Sequence, residues 1–205
     1  MKNHSPRPKI SLQLIFTLIF LFVACDFFKK NQDFEPTGNP YTLNSNIELI
    51  QIKESRNNFN PTGAFSLDFI CRSISNDTVF ATLPAGLFFL TSSKKIQNTI
   101  IVKDFLITAT GSVNTITLGA YSVNEFRQLP GDSDSYSIGS VTDNPDLLHI
   151  IDIVKGKRLT VSNTMTVQRA IYEVTSGDSL SAAMVESLNL LPDSLPAFIA
   201  KANNR

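Results

Sequence analysis

Between residues 41 and 125 the chain reads as a series of short strands. The segment NIELIQIK at 46–53 sets Ile47, Leu49 and Gln51 against Glu48, Ile50 and Ile52, the two-residue period of a pleated chain. A turn-rich stretch follows at 57–63, with Pro61 and Gly63. Further runs at 66–75, 78–83, 86–91, 98–109 and 115–123 are rich in Ile, Val, Thr and Phe. Asn-Asp, Pro-Ala-Gly, Ser-Ser-Lys-Lys and Thr-Gly-Ser punctuate them. β-branched runs with turn signals at this spacing predict an antiparallel sandwich or a barrel-like sheet.

Past residue 143 the period changes. Asp143-Asn144-Pro145 offers a cap followed by proline at the first helical position. Leu147, Ile150, Ile151 and Val154 then share one helical face, and Gly156 closes the helix behind Lys155. A second helix is predicted over 164–175, where Val167, Ala170, Ile171 and Val174 repeat at helical spacing before Gly177. A third starts near Asp178 with Leu180, Met184 and Leu188 in register, and Pro192 ends it. The tail 194–202 could add one more turn. Strands first and helices afterwards make one α+β domain over 41–205.

The first 24 residues have a different pattern. Lys2, Arg7 and Lys9 precede an apolar run from Ile10 to Ala24, broken only by Ser11, Gln13 and Thr17. About fifteen residues is short of the roughly 20 that a spanning helix needs. A basic start, a short apolar segment and a small residue at the junction make a secretory signal. The ending Phe22-Val23-Ala24-Cys25 resembles the lipobox of bacterial lipoproteins. That resemblance implies cleavage before Cys25, lipid on its thiol, and a place in the bacterial cell envelope, at the outer membrane or cell surface. Asp26 resembles the enterobacterial signal for inner-membrane retention, so the inner membrane stays open as an alternative. Residues 25–40 turn polar and read as a tether, with Phe27 and Phe28 available to the membrane interface.

Composition narrows the chemistry. The whole chain carries 18 basic and 18 acidic residues. Residues 1–24 hold three of the basic ones and none of the acidic ones, so 15 and 18 remain, a net charge of −3. No basic patch is left to read phosphate backbones, which argues against nucleic acid as a partner. There are two cysteines, and lipidation would consume Cys25, leaving Cys71 without a disulfide partner. Cys71 shares a strand face with Leu67 and Phe69 and reads as an inert core thiol. His149 is the one histidine after residue 25, which excludes a multi-histidine metal site. It sits about 200° around the first helix from Leu147, on the solvent side. Asp132 and Asp134, with Asp143 nearby, could ligate calcium, but the glycine and distal glutamate of a calcium loop are missing, and a solvated loop is the simpler reading. No cofactor or metal is expected.

One further pattern spans 84–177. GAYSVN around Ser122 and TVQRAIYEVTSG around Gln168 resemble the two motifs of bacterial adhesin thioester domains. In those domains a cysteine thiol and a glutamine carboxamide condense into an internal thioester that captures host amines. Here Ser122 follows Tyr121 where the reactive cysteine would stand, and Val167 separates Thr166 from Gln168. A hydroxyl without an adjacent base is a weak nucleophile, so the resemblance implies a degenerate pair. Gln168 borders the apolar stripe of its helix, and a hydroxyl on a facing strand would satisfy its amide, so contact between Ser122 and Gln168 is expected. The expectation is a lipid-anchored module without catalytic activity that binds or scaffolds a protein or glycan partner and meets the membrane through Cys25. The alternatives are a covalent surface adhesin and a hydrolase using a serine with His149.

Overall fold

All the ladders between the strands are antiparallel. The computed structural model of the chain describes residues 33–55, 59–75, 77–129 and 134–194. Within them lie β1 (Gly38–Pro40), β2 (Ile47–Glu54), β3 (Phe65–Ser73), β4 (Val79–Leu83), β5 (Leu87–Thr91), β6 (Thr99–Ile100), β7 (Phe105–Ala109), β8 (Asn114–Ser122) and β9 (Tyr136–Thr142). Three helices follow: α1 (Pro145–Lys155), α2 (Thr164–Thr175) and α3 (Ala182–Asn189). The protein is α+β, a sandwich-like antiparallel sheet followed by three C-terminal helices. Among the described residues no helix is long and apolar enough to cross a membrane.

Seven strands make one sheet in the order β1-β9-β5-β6-β8-β3-β2, and β4 pairs with β7 in a second. The large sheet curls until Lys53 of β2 meets Ser135, just before β9, in an isolated antiparallel bridge. Inside the curl lies one apolar core, with Ile52, Leu67, Phe69, Cys71 and Leu118 from the large sheet and Leu83, Ile107 and Ala109 from the small one. On the other face of β5, β6 and β8, Phe88, Ile100 and Tyr121 meet the buried stripes of α1 and α2 and Leu188 of α3 in a second core. A sheet buried on both faces there explains the unbroken apolar runs Leu87-Phe88-Phe89 and Ile100-Ile101-Val102.

Several elements depart from the sequence pattern for physical reasons. In β2 the register shifts between Leu49 and Gln51, leaving Ile50 exposed in a bulge. The extra residue lets Ile47 and Ile52, which strict alternation would oppose, enter the same core. The run 98–109 is two strands rather than one. Residues 99–100 belong to the large sheet and 105–109 to the small one. Between them Lys103 Nζ donates to the carbonyls of Val154, Lys155 and Lys157 (2.6, 2.8 and 2.9 Å), closing the C-terminus of α1. Burial pushes the Lys103 ammonium below its ordinary pKa.

Strand β9 lies between the predicted strands and the predicted first helix, and short β1 stands in the predicted tether. Gly38 has φ +149°, and a Cβ there would fall 1.9 Å from Val141 O, so only glycine allows β1 to lie against β9. Residues 33–40, read from sequence as tether, are therefore built onto the domain. α1 has the predicted limits: Asn144 Oδ1 accepts from the amides of Asp146 and Leu147 (3.0 and 3.1 Å). α3 begins later than predicted, at Ala182, because Ser181 Oγ caps the amide of Met184 (3.2 Å). Residues 195–202, the possible extra turn, lie outside the described residues.

Candidate functional site

The expected pair meets where a strand runs out of partners. On one side β8 pairs with β6, Thr99 opposite Ser122, and Val123 N–H continues that ladder by donating to Asn98 O (3.0 Å). Backbone polar groups alternate sides along a strand, so those of Ser122 face the other way, toward β3. The β3 ladder has already stopped at Phe65 opposite Ala120. Thr62 and Gly63 cross over Gly119 there, and a Cβ on Gly119 would come within 2.4 Å of Thr62 Oγ1. The amide and carbonyl of Ser122 would be orphans in a site only 1% exposed.

Gln168 takes the place of the missing strand. It stands on α2 beside Val167, whose side chain is fully buried. Its Oε1 accepts from Ser122 N–H (3.0 Å) and its Nε2 donates to Ser122 O (2.9 Å). Contact between the two residues is thus present, but through the main chain rather than the hydroxyl. Ser122 Oγ instead accepts, at long range, from Asn124 N–H (3.4 Å). The carboxamide reproduces the paired donor and acceptor of a peptide group, the one geometry that satisfies both orphans at once.

The same end of the sheet holds a second polar joint that the sequence did not reveal. Asn124 Oδ1 accepts from Asn98 N–H (3.0 Å), and its Nδ2 donates to Asp33 Oδ1 (2.9 Å) and Phe34 O (2.8 Å). Arg127 holds the Asp33 carboxylate through Nε, 2.9 Å from each oxygen, and through Nη2. Gln97 Nε2 donates to Arg127 O (2.9 Å). Phe34 leans on Phe88 with ring centroids 6.0 Å apart. The first described residue of the chain is thereby clamped beside the loop after β8. An Asn-Glu-Phe-Arg run carries no pattern that marks such a clamp, and only the fold supplies Asp33 as its partner.

The remaining candidates are apart from this joint. Cys71 is fully buried between Leu49 and Asn114 on the neighbouring strands. Burial pushes its thiol pKa up, which disfavours the nucleophilic thiolate. His149 lies on the exposed side of α1. Asp134 and Asp143 flank β9 at opposite ends, about 20 Å apart for a seven-residue strand, so the two cannot share a cation. Asp132 and Cys25 lie outside the described residues. Among the described residues no three His, Cys, Asp or Glu side chains gather as metal ligands. In comparison with known proteins, the chain matches no protein-family model, no curated protein and no solved structure.

Proposed function

We propose that this chain is a lipid-anchored module of the bacterial envelope, held through Cys25, that binds or scaffolds a protein or glycan partner without catalysing a reaction. The observation that carries the non-covalent reading is the carboxamide of Gln168. Its oxygen and nitrogen are both engaged by Ser122's main chain, within a buried joint. A condensation would expel Nε2 as ammonia and leave the buried carbonyl of Ser122 without its donor. The anchor rests on the Ala24-Cys25 junction and the short apolar run before it.

Two measurements on cells expressing the full chain test this reading. Wild-type protein should fractionate with membranes and carry acyl mass, while Cys25→Ser should move to the aqueous fraction. Unchanged membrane association of Cys25→Ser would refute the anchor. The peptide part of the mass should match the sequence after residue 24. A deficit of about 17 Da, the ammonia lost in an acyl condensation, that disappears in Gln168→Ala would instead establish covalent chemistry.

A further inference from the structure

We propose that the pole of the domain bearing Phe126, Leu129, Lys94 and Lys95 is a docking surface for the lipid bilayer; this rests on the lipid-anchored reading above and adds an orientation to it. Two independent observations converge on that pole.

The first is where the described chain starts. Asp33 is fixed to Arg127 and Asn124. Cys25 is eight residues earlier. Eight residues reach at most about 28 Å when fully extended. A domain of this length is about 40 Å across. A lipid on Cys25 therefore keeps the Asp33 pole near the bilayer and leaves the far pole out of reach.

The second is what surrounds Asp33. Phe126 and Leu129 bracket Arg127 in sequence and are 72% and 68% exposed, and neither joins an apolar cluster among the described residues. Lys94 and Lys95, both exposed, occupy the adjoining β5–β6 loop. The two loops are tied together: Gln128 N–H donates to Lys95 O (2.8 Å), and Gln97 N–H donates to Gln128 O (3.0 Å). Glu125 is turned away, its carboxylate accepting from Ser176 Oγ (3.4 Å) on the helical side. An aromatic and a branched aliphatic side chain beside two ammonium groups match the bilayer boundary. The apolar groups enter the acyl margin and the lysines meet anionic headgroups.

The chain contains no tryptophan, so a single introduced indole reports its own surroundings. Full-length lipidated Phe126→Trp and Phe80→Trp proteins are reconstituted into vesicles containing anionic and brominated lipids. Phe80 is likewise exposed but lies on β4, in the small sheet. Flotation with the vesicles reads the anchor, and quenching reads the surface. The expected result is flotation of both variants, with emission of Phe126→Trp falling about twofold because it sits at the acyl boundary, and that of Phe80→Trp unchanged. Adding Lys94→Glu and Lys95→Glu to Phe126→Trp should weaken quenching on anionic vesicles and leave it unaltered on zwitterionic ones. Flotation with unquenched Phe126→Trp, or with equal quenching at both positions, overturns the docking surface while the anchor stands. Failure of both variants to float overturns the anchor and the surface together.

Discussion

The two halves of the large sheet are built on different terms. In β2, β3 and β8 the ladders are long: Phe65 to Cys71 face Ala120 to Asn114 without a break, and β2 pairs with β3 from Ile47 to Glu54 around its single bulge. In β1, β9, β5 and β6 the pairing comes in short patches, with a register shift between Leu87 and Phe89. Side chains complete that half. Asn98 Oδ1 accepts from Thr91 N–H (2.9 Å), Asn124 Oδ1 from Asn98 N–H, and Gln168 closes the end of β8. Where the ladder is continuous, a side chain has only to be apolar on the correct face. Where it is broken, particular amides become structural parts of the sheet, and their replacement is felt through hydrogen bonds rather than volume.

The contrast can be tested in order of expected effect. Phe69→Ala, in the continuous half, should cost about 4 kcal/mol through the cavity it leaves. A lowered denaturant midpoint with unchanged slope is the expected reading. Gln168→Ala removes little apolar volume yet should cost about 2 kcal/mol, because Ser122 keeps a buried donor and acceptor without partners. A loss under about 0.5 kcal/mol would mean that water or a backbone shift replaces the amide, and the account of the broken half would fail.

Two buried tyrosines sharpen the comparison. Tyr121 of β8 donates its hydroxyl to Thr62 O (2.9 Å). The Tyr136 hydroxyl of β9 is buried without a hydrogen-bond partner among the described residues. Tyr121→Phe should cost about 1 kcal/mol and Tyr136→Phe close to nothing. Both phenols are pushed above their ordinary pKa by burial, with Glu54 and Asp134 adding to the effect at Tyr136. A phenol whose folded pKa is raised stabilises the fold below its unfolded pKa and loses that contribution as pH rises. Stability should therefore fall above about pH 10, by about 1.4 kcal/mol per pH unit for each tyrosine. Tyr136→Phe should reduce that slope by about 1.4 kcal/mol per pH unit in urea titrations at several pH values; an unchanged slope would show that Tyr136 ionises freely in the folded state.

A small and salt-dependent effect is expected at Asp33. The side chain of Asp33 is 51% exposed, so its pair with Arg127 is screened by solvent. Asp33→Ala should lower stability by less than about 1 kcal/mol, and the loss should shrink as salt is raised. A larger, salt-independent loss would make the clamp part of the core.

Sequence pattern reached the continuous half and the helices because their rules are local. β3 alternates over Phe69–Ser73, and α1 declares its cap in Asn144-Pro145. What it missed depends on partners far along the chain. β9 reads YSIGSVT, with two serines and a glycine, and is a strand because β5 and β1 flank it. A Cβ on Gly139 would press within 2.9 Å of Leu90 Cγ, a reason for glycine that only the folded sheet supplies. The break at 101–104 was hidden because Ile100, Ile101 and Val102 are all apolar and face two different cores. For the candidate site, helical period placed Gln168 at the edge of a buried stripe, and burial demanded a partner for it. That the partner would be the main chain of Ser122 follows from the early end of the β3 ladder, which no local pattern records.

The pairing of β1 with β9 also sets an order of events in time. The β2–β3 hairpin needs no residue beyond Ser73 to close. Gly38 must wait for Thr142, roughly a hundred residues later, and contacts of that sequence separation are slow to form. Until β9 arrives, β5 also lacks its neighbour, and Phe88 and Phe89 stand at an open edge. Removing residues after 135 would leave β1 with nothing to join, so Gly38–Pro40 become a strand only once residues 140–142 are in place.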